Sequence, residues 1–373
     1  MLTKVKQELF ERYGSWLPFR GDRARVLVLT QNFDIGTAQV LPLMRAADIE
    51  VRAQPLQFFL DGRKRYAAAD AVCVQTRFDL TVEQMHELML RVRREWPGRP
   101  IAYLDWFAPT DLRYAQVLDQ HVVAYVKKQV LADFSRYGTP TIGDTVLTDY
   151  YARRFGLSLP ERRFFVPPDF ERKLVLGPGF ECSPNTRDCL RGSIEAAREI
   201  DVHARFETSK GTEWYLRMRQ ECKDKALALE GRFRVACRGQ VPRREFRREL
   251  RASRICFSPF GYGPVCWRDF EAMACGALLL KQDVSYIRLA RPFYIPNETY
   301  VPLRWDLSDL EEKVSYYLAH DREREAIVRN AHTMLRRSLD EEWFVEDMAP
   351  LWRLLGLTPR SSATVEPAAG EAA

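Results

Sequence analysis

The sequence lacks the patterns that assign a biochemistry most directly. No stretch approaches the ~18 consecutive apolar residues of a membrane-spanning helix, and the opening M-L-T-K-V-K-Q-E-L-F-E-R is too charged for a signal peptide. A cytoplasmic location is expected, at most peripheral to the inner face of a membrane. Five histidines are dispersed, and the eight cysteines at 73, 182, 189, 222, 237, 256, 266 and 275 contain no C-x-x-C pair. That distribution argues against a metal site or a disulfide framework and for small buried thiols in a reducing compartment. No G-x-G-x-x-G follows the first apolar run, where residues 30–37 read T-Q-N-F-D-I-G-T, which disfavours a dehydrogenase. Neither a zinc-finger pattern nor the aromatic and glycine spacing of an RNA-recognition motif is present, so nucleic acid is not an expected partner.

What is present is regular alternation. The chain has 373 residues, 46% hydrophobic and 29% charged, which exceeds the ~250–300 residues where single cores stop growing and predicts two domains. Short apolar runs at 25–30, 70–75, 100–104 and 122–126 read as buried strands, with a helix at 81–95 opened by a Thr81/Gln84 capping box. The second half repeats the scheme, with strands at 173–176, 202–206, 233–237, 255–258 and 277–280 and helices at 187–200 and 212–229. The fold class is therefore α/β, two doubly wound Rossmann-like domains in series. Pro160, Pro167 and Pro168 interrupt periodicity between 157 and 169 and place the division there. The expected organisation is 1–165, 166–340, a helix at 341–357 carrying Trp343, Phe344, Met348, Leu351 and Trp352, and a disordered tail at 358–373.

One block carries chemistry. Residues 254–281 read R-I-C-F-S-P-F-G-Y-G-P-V-C-W-R-D-F-E-A-M-A-C-G-A-L-L-L-K, a strand, a glycine-punctuated turn, a short helix, a glycine stop and a second strand. Gly261 and Gly263 allow a tight loop, Pro264 suits the first helical position and Gly276 the residue past the helix end. Cys266, Phe270, Met273 and Ala274 share a face to be buried, while Arg268, Glu271 and Cys275 share its neighbour. Unpaired N–H groups at a helix start attract phosphate, and Arg268 adds a planar fork matched to phosphate oxygens. Glu271, an acceptor-only group, suits vicinal sugar hydroxyls. A simple i,i+3 ion pair between the two is the bland alternative.

The run S-P-F-G-Y-G-P-V-C-W-R-D-F-E-A-M-A-C-G-A-L-L-L resembles the donor-site signature of GT-B glycosyltransferases, especially the glycosyl-transferases group 1 and exostosin-like families, most specifically in E-A-M-A-C-G at 271–276. The resemblance spans roughly residues 170–356. It implies two domains facing across a cleft with a C-terminal helix crossing back, a nucleotide-diphosphate sugar on the second domain, a glycan or lipid-linked acceptor on the first, and Glu271 on the nucleotide ribose. One departure stands out: the earlier acid of the family's E-x7-E pattern falls on Gly263. There is no D-x-D pair of the kind that holds manganese in the other major glycosyltransferase fold. Arginine, lysine and a helix start would neutralise the diphosphate, with neither metal nor further cofactor.

In doubly wound sheets ligands sit beyond the carboxyl ends of the strands. In the first domain that singles out 31–34, 75–77, 105–107 and Lys127, with Asp105 beside Trp106 the candidate general base or acceptor-orienting carboxylate. In the second, Lys210 and Arg238 are candidate phosphate cations beside Arg268. Ser258, Pro259, Gly261, Tyr262, Gly263, Trp267 and Asp269 form the expected donor-binding loop and helix start, with Tyr262 placed to stack on a nucleobase. Net charge is +6, concentrated at 232–254, where Arg243, Arg244, Arg247, Arg248 and Arg251 alternate with Glu245 and Glu249. They read as a solvated helix face opposite Phe246 and Leu250, or else as a contact for anionic membrane or glycan. Two competing functions are a catalytically silent GT-B binding protein, motivated by Gly263, and a nucleotide-sugar epimerase.

Overall fold

A computed structural model describes residues 18–357 apart from 21, 32–33, 41, 47, 64–67 and 196. The tail expected at 358–373, the opening segment at 1–17 and part of the 30–37 loop lie outside the described residues.

Six parallel strands form the first sheet: β1 (Ala24–Thr30), β2 (Ile49–Pro55), β3 (Ala71–Val74), β4 (Ile101–Asp105), β5 (Ala124–Lys127) and β6 (Leu174–Leu176), in the order β2-β1-β3-β4-β5-β6. Helices α1 (Asp34–Val40), α2 (Leu56–Leu60), α3 (Val82–Glu95) and α4 (Ala115–Leu118) connect them. The two-residue side-chain period splits each strand between two cores. Leu27, Leu29, Val72, Val74, Tyr103 and Tyr125 face one side, and Val26, Val28, Ala71, Cys73, Ala102 and Leu104 the other. Both faces are covered, as a parallel sheet requires. The capping box forms as expected: Gln84 N–H donates to Thr81 Oγ1 at 3.2 Å, and Thr81 N–H to Gln84 Oε1 at 2.9 Å. Strand β2 has no counterpart in the sequence reading because I-E-V-R-A-Q-P is charged and ends in proline. As an edge strand it tolerates both, and Glu50 and Arg52 pair on it.

The second sheet is also parallel: β7 (Ile200–His203), β8 (Val235–Ala236), β9 (Ser253–Phe257), β10 (Leu278–Gln282) and β11 (Val301–Leu303), ordered β8-β7-β9-β10-β11. The helices of this half are α5 (Val146–Phe155), α6 (Pro184–Cys189), α7 (Glu213–Ala228), α8 (Arg243–Arg251), α9 (Trp267–Cys275), α10 (Leu310–Ala319) and α11 (Asp321–Asp340). The helix expected over 187–200 is only the short α6, capped by Ser183 and followed by Gly192-Ser193.

Chain order and sheet membership diverge between 128 and 180. After β5 the chain crosses to the second core, where Leu147 and Tyr151 of α5 are buried, and then returns to add β6 beside β5. The strand expected at 173–176 thus exists but extends the first sheet; apolar periodicity reveals a strand, not its partner. A two-residue antiparallel ribbon, Val130–Leu131 with Ile287–Arg288, ties the halves together. At the C-terminus the single expected helix is two, α12 (Trp343–Asp347) and α13 (Ala349–Leu354), with Pro350 in the first turn of the latter. Phe344 packs in the second core, while Met348, Leu351, Trp352 and Leu355 pack in the first, so the chain crosses back there.

Each domain carries one buried Asp–Lys pair at the carboxyl edge of its sheet. Lys127 Nζ lies 2.6 Å from Asp105, and Lys281 Nζ 3.1 Å from Asp269, with all four side chains fully buried. Removing one partner leaves an uncompensated buried charge. Lys127→Met and Lys281→Met are each expected to lower unfolding stability by about 3–5 kcal/mol in urea titrations. A loss under 1 kcal/mol would mean that the partner carboxyl has simply taken up a proton.

Candidate functional site

Strand β7 leads through α7 to β8 on one side, and β9 leads through α9 to β10 on the other. The connections therefore diverge between β7 and β9, and a crevice opens beyond their carboxyl ends. The loop 258–266 forms one wall. Its shape is set by Asp269, which is fully buried and accepts from Ser258 Oγ at 2.6 Å, Cys266 N–H at 2.9 Å and Tyr294 Oη at 2.7 Å in addition to Lys281. Helix α9 consequently starts at Trp267 with Cys266 as its cap, not at Pro264. Gly276 closes it in the left-handed region, φ 72°, as expected.

The start of α9 is roofed by the first domain. Lys128 Nζ donates to the carbonyls of Trp106 (2.8 Å) and Phe107 (2.6 Å) and lies over the Phe180 ring, which stacks on Trp267 at 4.3 Å. Gln129 Nε2 donates to the Ala108 carbonyl at 2.7 Å. A Cβ at Gly263 would stand 1.7 Å from that same oxygen, so glycine is obligatory at the position where the resemblance places an acid.

Arg268 and Glu271 point away from this roof, into the crevice. The Arg268 guanidinium lies 5.7 Å from the centre of the Phe206 ring, just beyond β7. Over the same ring, at 5.3 Å, lies Arg219 from α7, which also rests on Tyr215 at 5.1 Å. Arg219 is 5% exposed, and its Nε and Nη1, like Nε of Arg268, have no hydrogen-bond partner. Glu271 is 7% exposed and accepts from Arg243 Nη2 at 3.2 Å. Burial raises its pKa, opposed by Arg243 and Arg268. His203, at the end of β7, is held neutral with its pKa pushed down to about 3 by burial and by Arg268 and Arg205, so its 3.8 Å approach to Glu249 is no ion pair. Arg219, buried, and Arg268, half-buried, place two like charges over one ring with several nitrogens unpaired, an arrangement that an anion would relieve, and their planar forks suit phosphate oxygens.

Tyr262 forms the outer lip. It stacks on Tyr215, ring centres 4.3 Å apart and 4° from parallel, and accepts from Thr212 N–H at 2.9 Å. Gly211, φ 141°, is required beneath it, since a Cβ there would stand 2.5 Å from the Tyr215 ring. Lys210 is exposed beside it, and Gly261 borders Arg219, whose Nη2 would lie 3.7 Å from a Cβ at 261.

Several sequence candidates have other work. Asp105 is fully buried and saturated by Tyr125 Oη (2.5 Å), Lys127 Nζ (2.6 Å) and Phe107 N–H (2.9 Å), so it fixes the 105–107 turn and is no accessible base. Ser258 and Asp269 shape the loop, and the Pro259 carbonyl receives the Cys266 thiol at 3.6 Å. Trp267 packs on Phe180, and Arg238 is an exposed partner of Glu230 at 2.9 Å. Sequence reasoning missed Arg219; Arg243, expected on a solvated helix face, is exposed as expected and from there also donates to Glu271. The available signal was the stripe Tyr215, Arg219, Cys222, Ala226, an arginine at apolar helical spacing. Among the described residues no group of three or more His, Cys, Asp or Glu could hold a metal ion, and no helix is long and apolar enough to cross a membrane.

A family model described as "Glycosyl transferase-like" matches residues 195–348. No curated protein matches. Among solved structures, a glycosyltransferase from Rickettsia africae ESF-5 aligns at 9% identity over 92% of this chain and 100% of that one, TM-score 0.49. A sucrose-phosphate synthase from Thermosynechococcus elongatus aligns at 13% identity over 90% and 99%, TM-score 0.48. A UDP-GlcNAc 2-epimerase from Neisseria meningitidis bound to UDP-GlcNAc aligns at 10% over 86% and 100%, TM-score 0.40.

The roof makes stability depend on pH. Burial pushes the Glu181 carboxyl, which accepts from Gly179 N–H at 2.7 Å beside Lys128, up to about 7. Its neutral form belongs to the fold, so its contribution is complete below the ordinary value near 4.5 and is lost as pH rises through 7. Unfolding stability should fall by about 3 kcal/mol across that window through this group. Glu181→Gln should flatten the fall in denaturant titrations at pH 4.5 and 7.5; an unchanged slope would assign it elsewhere.

Proposed function

We propose, from the match of residues 195–348 to the glycosyl transferase-like family model, that the protein transfers a sugar from a nucleotide-diphosphate donor to a hydroxyl acceptor. The observation that carries this reading is the pair Arg219, buried, and Arg268, half-buried, over one phenyl ring at the divergence of the second sheet without hydrogen-bond partners for three of their nitrogens. The diphosphate lies between them. Glu271, oriented by Arg243, takes the ribose hydroxyls; Tyr262 and Lys210 border the outer end, where the base lies.

In the reaction the acceptor oxygen bonds to the anomeric carbon as the bond from that carbon to the diphosphate oxygen breaks. The bonding pair leaves with the diphosphate, and the hydroxyl proton departs with the product nucleotide. Negative charge grows on the leaving group, so the two guanidiniums stabilise the transition state more than the ground state; one such donor is typically worth about 3–4 kcal/mol. Among this chain's groups the arginines supply the charge that a metal ion supplies elsewhere, and the roof over α9 excludes water from the donor. Assaying product with and without acceptor separates transfer from epimerisation.

Thermal-shift screening with UDP, GDP, dTDP, CMP and ADP should show one nucleotide stabilising the fold, by about 2.7 kcal/mol at 100-fold above its Kd. Arg219→Met, Arg268→Met and Glu271→Gln should each abolish that shift. Arg219→Met should also raise the unliganded melting temperature, because it removes a buried unpaired charge. A lowered unliganded melting temperature with an intact nucleotide shift would make Arg219 structural.

A further inference from the structure

The first sheet has its own point of divergence, between β1 and β3, which nothing in the donor crevice uses. Its floor is Gln75, fully buried and fully engaged. Oε1 accepts from Thr30 Oγ1 (2.6 Å) and Gln31 N–H (3.2 Å), and Nε2 donates to the Gly36 carbonyl (3.1 Å) and Gln39 Oε1 (2.8 Å). From Thr30, Gln31 and Arg77 a cavity of about 580 Å³ runs outward between α2 and α3. That volume lies within the ~300–1,000 Å³ of small-molecule sites.

The walls are unusual for a site that would grip a free sugar. Leu56, Leu60, Leu80, Leu88 and Leu90 line the cavity and offer no hydrogen bonds. Leu60 and Leu90 remain 37% and 43% exposed, and Phe78 and Val82, on and just after the segment joining β3 to α3, are 60% and 53% exposed. Four of the seven exposed large hydrophobic side chains among the described residues therefore gather on this one face. Such clustering marks a binding surface. The charge that lines the cavity is mainly positive: Arg77, Arg91 and Arg94 against Glu87. Arg91 is fixed by the carbonyls of Phe59 (3.0 Å) and Leu60 (2.8 Å), whereas Arg94 has no partner among the described residues. The cavity's inner end lies on the side of the donor site: Phe78, next in sequence to the lining Arg77, packs edge-on against Phe107 at 6.5 Å, next to the Ala108 carbonyl that meets Gly263.

We propose that this cavity is the acceptor site and that the acceptor is an anionic amphiphile. Its apolar chain lies among the leucines between α2 and α3, its acidic group meets Arg91 and Arg94, and its reactive hydroxyl lies toward Thr30 and Arg77. The role as acceptor rests on the glycosyl-transfer reading; the binding does not, and the two are tested by separate signals.

Dodecyl phosphate, kept below its critical micelle concentration, is titrated calorimetrically into the full chain. Saturable binding is expected, about tenfold tighter than that of dodecyl maltoside and without a counterpart for inorganic phosphate. Leu60→Asp and Leu90→Asp, both at exposed positions, should each weaken it about tenfold with the melting temperature unchanged, and Arg94→Glu should weaken dodecyl phosphate but not dodecyl maltoside. Equal binding by the wild type and both leucine variants overturns the proposal. So does flotation with phosphatidylglycerol vesicles without binding of the monomeric amphiphile, which would make this face a membrane contact. Nucleotide-dependent stabilisation should survive in all three variants; its absence from the wild type, with dodecyl phosphate still bound, sinks the donor reading alone.

Discussion

Asp269 is the constraint on which the second domain's site depends. One carboxylate, fully buried, receives Ser258, Cys266, Tyr294 and Lys281, and these come from a strand end, a helix cap, a distant loop and the next strand. A buried ion pair adds little net stability over a well-packed apolar pair, because desolvation offsets the Coulomb attraction. What it supplies here is position. With the loop 258–266 tied at both ends, α9 has one available direction, and Arg268 and Glu271 go with it. Asp105 does the same for the turn at 105–107 through Lys127, Tyr125 and the Phe107 amide.

Against those saturated carboxylates, Arg219 and Arg268 are conspicuous. The chain finds three partners for Asp105 and four for Asp269 yet leaves these two guanidiniums partly unpaired. A fold that can satisfy buried charge and does not do so at one crevice is holding a binding capacity in reserve, at a cost to the unliganded state. Phe206 makes this tolerable, since its π face offers both cations a weak substitute for the missing anion.

The legible and illegible parts of the molecule divide along a physical line. Properties decided by a residue and its near neighbours were readable: the apolar strands, the Thr81 capping box, the left-handed stop at Gly276, and the shared face of Arg268 and Glu271. Properties decided by distant partners were not. Asp105 looked like a free acid because Lys127 lies 22 residues away, and Ser258 and Asp269 looked like ligand contacts because Lys281 and Tyr294 meet them only in three dimensions. Strand β6 was visible as a strand but not as a member of the first sheet, since the crossing by α5 leaves no periodic trace. Arg219 failed for a different reason: an arginine within a helix is usually a solvated one, and only its place in the Tyr215–Cys222 stripe argued otherwise.

The seam between the domains follows from the same economy. The large apolar clusters stay separate, one under each face of the first sheet and one in the second domain; near the site the domains meet where Gly263 abuts the Ala108 carbonyl and Lys128 lies over the Phe180 ring, while Lys128 and Gln129 hold the first domain's own 106–108 turn by its carbonyls. Lys128, whose pKa burial pushes down to about 7, and Glu181, pushed up to about 7, are both more favourably solvated once the seam parts. The seam therefore has a tight steric fit at Gly263 and two buried charged groups that favour its parting, a combination that lets a donor enter beneath a roof that afterwards excludes water.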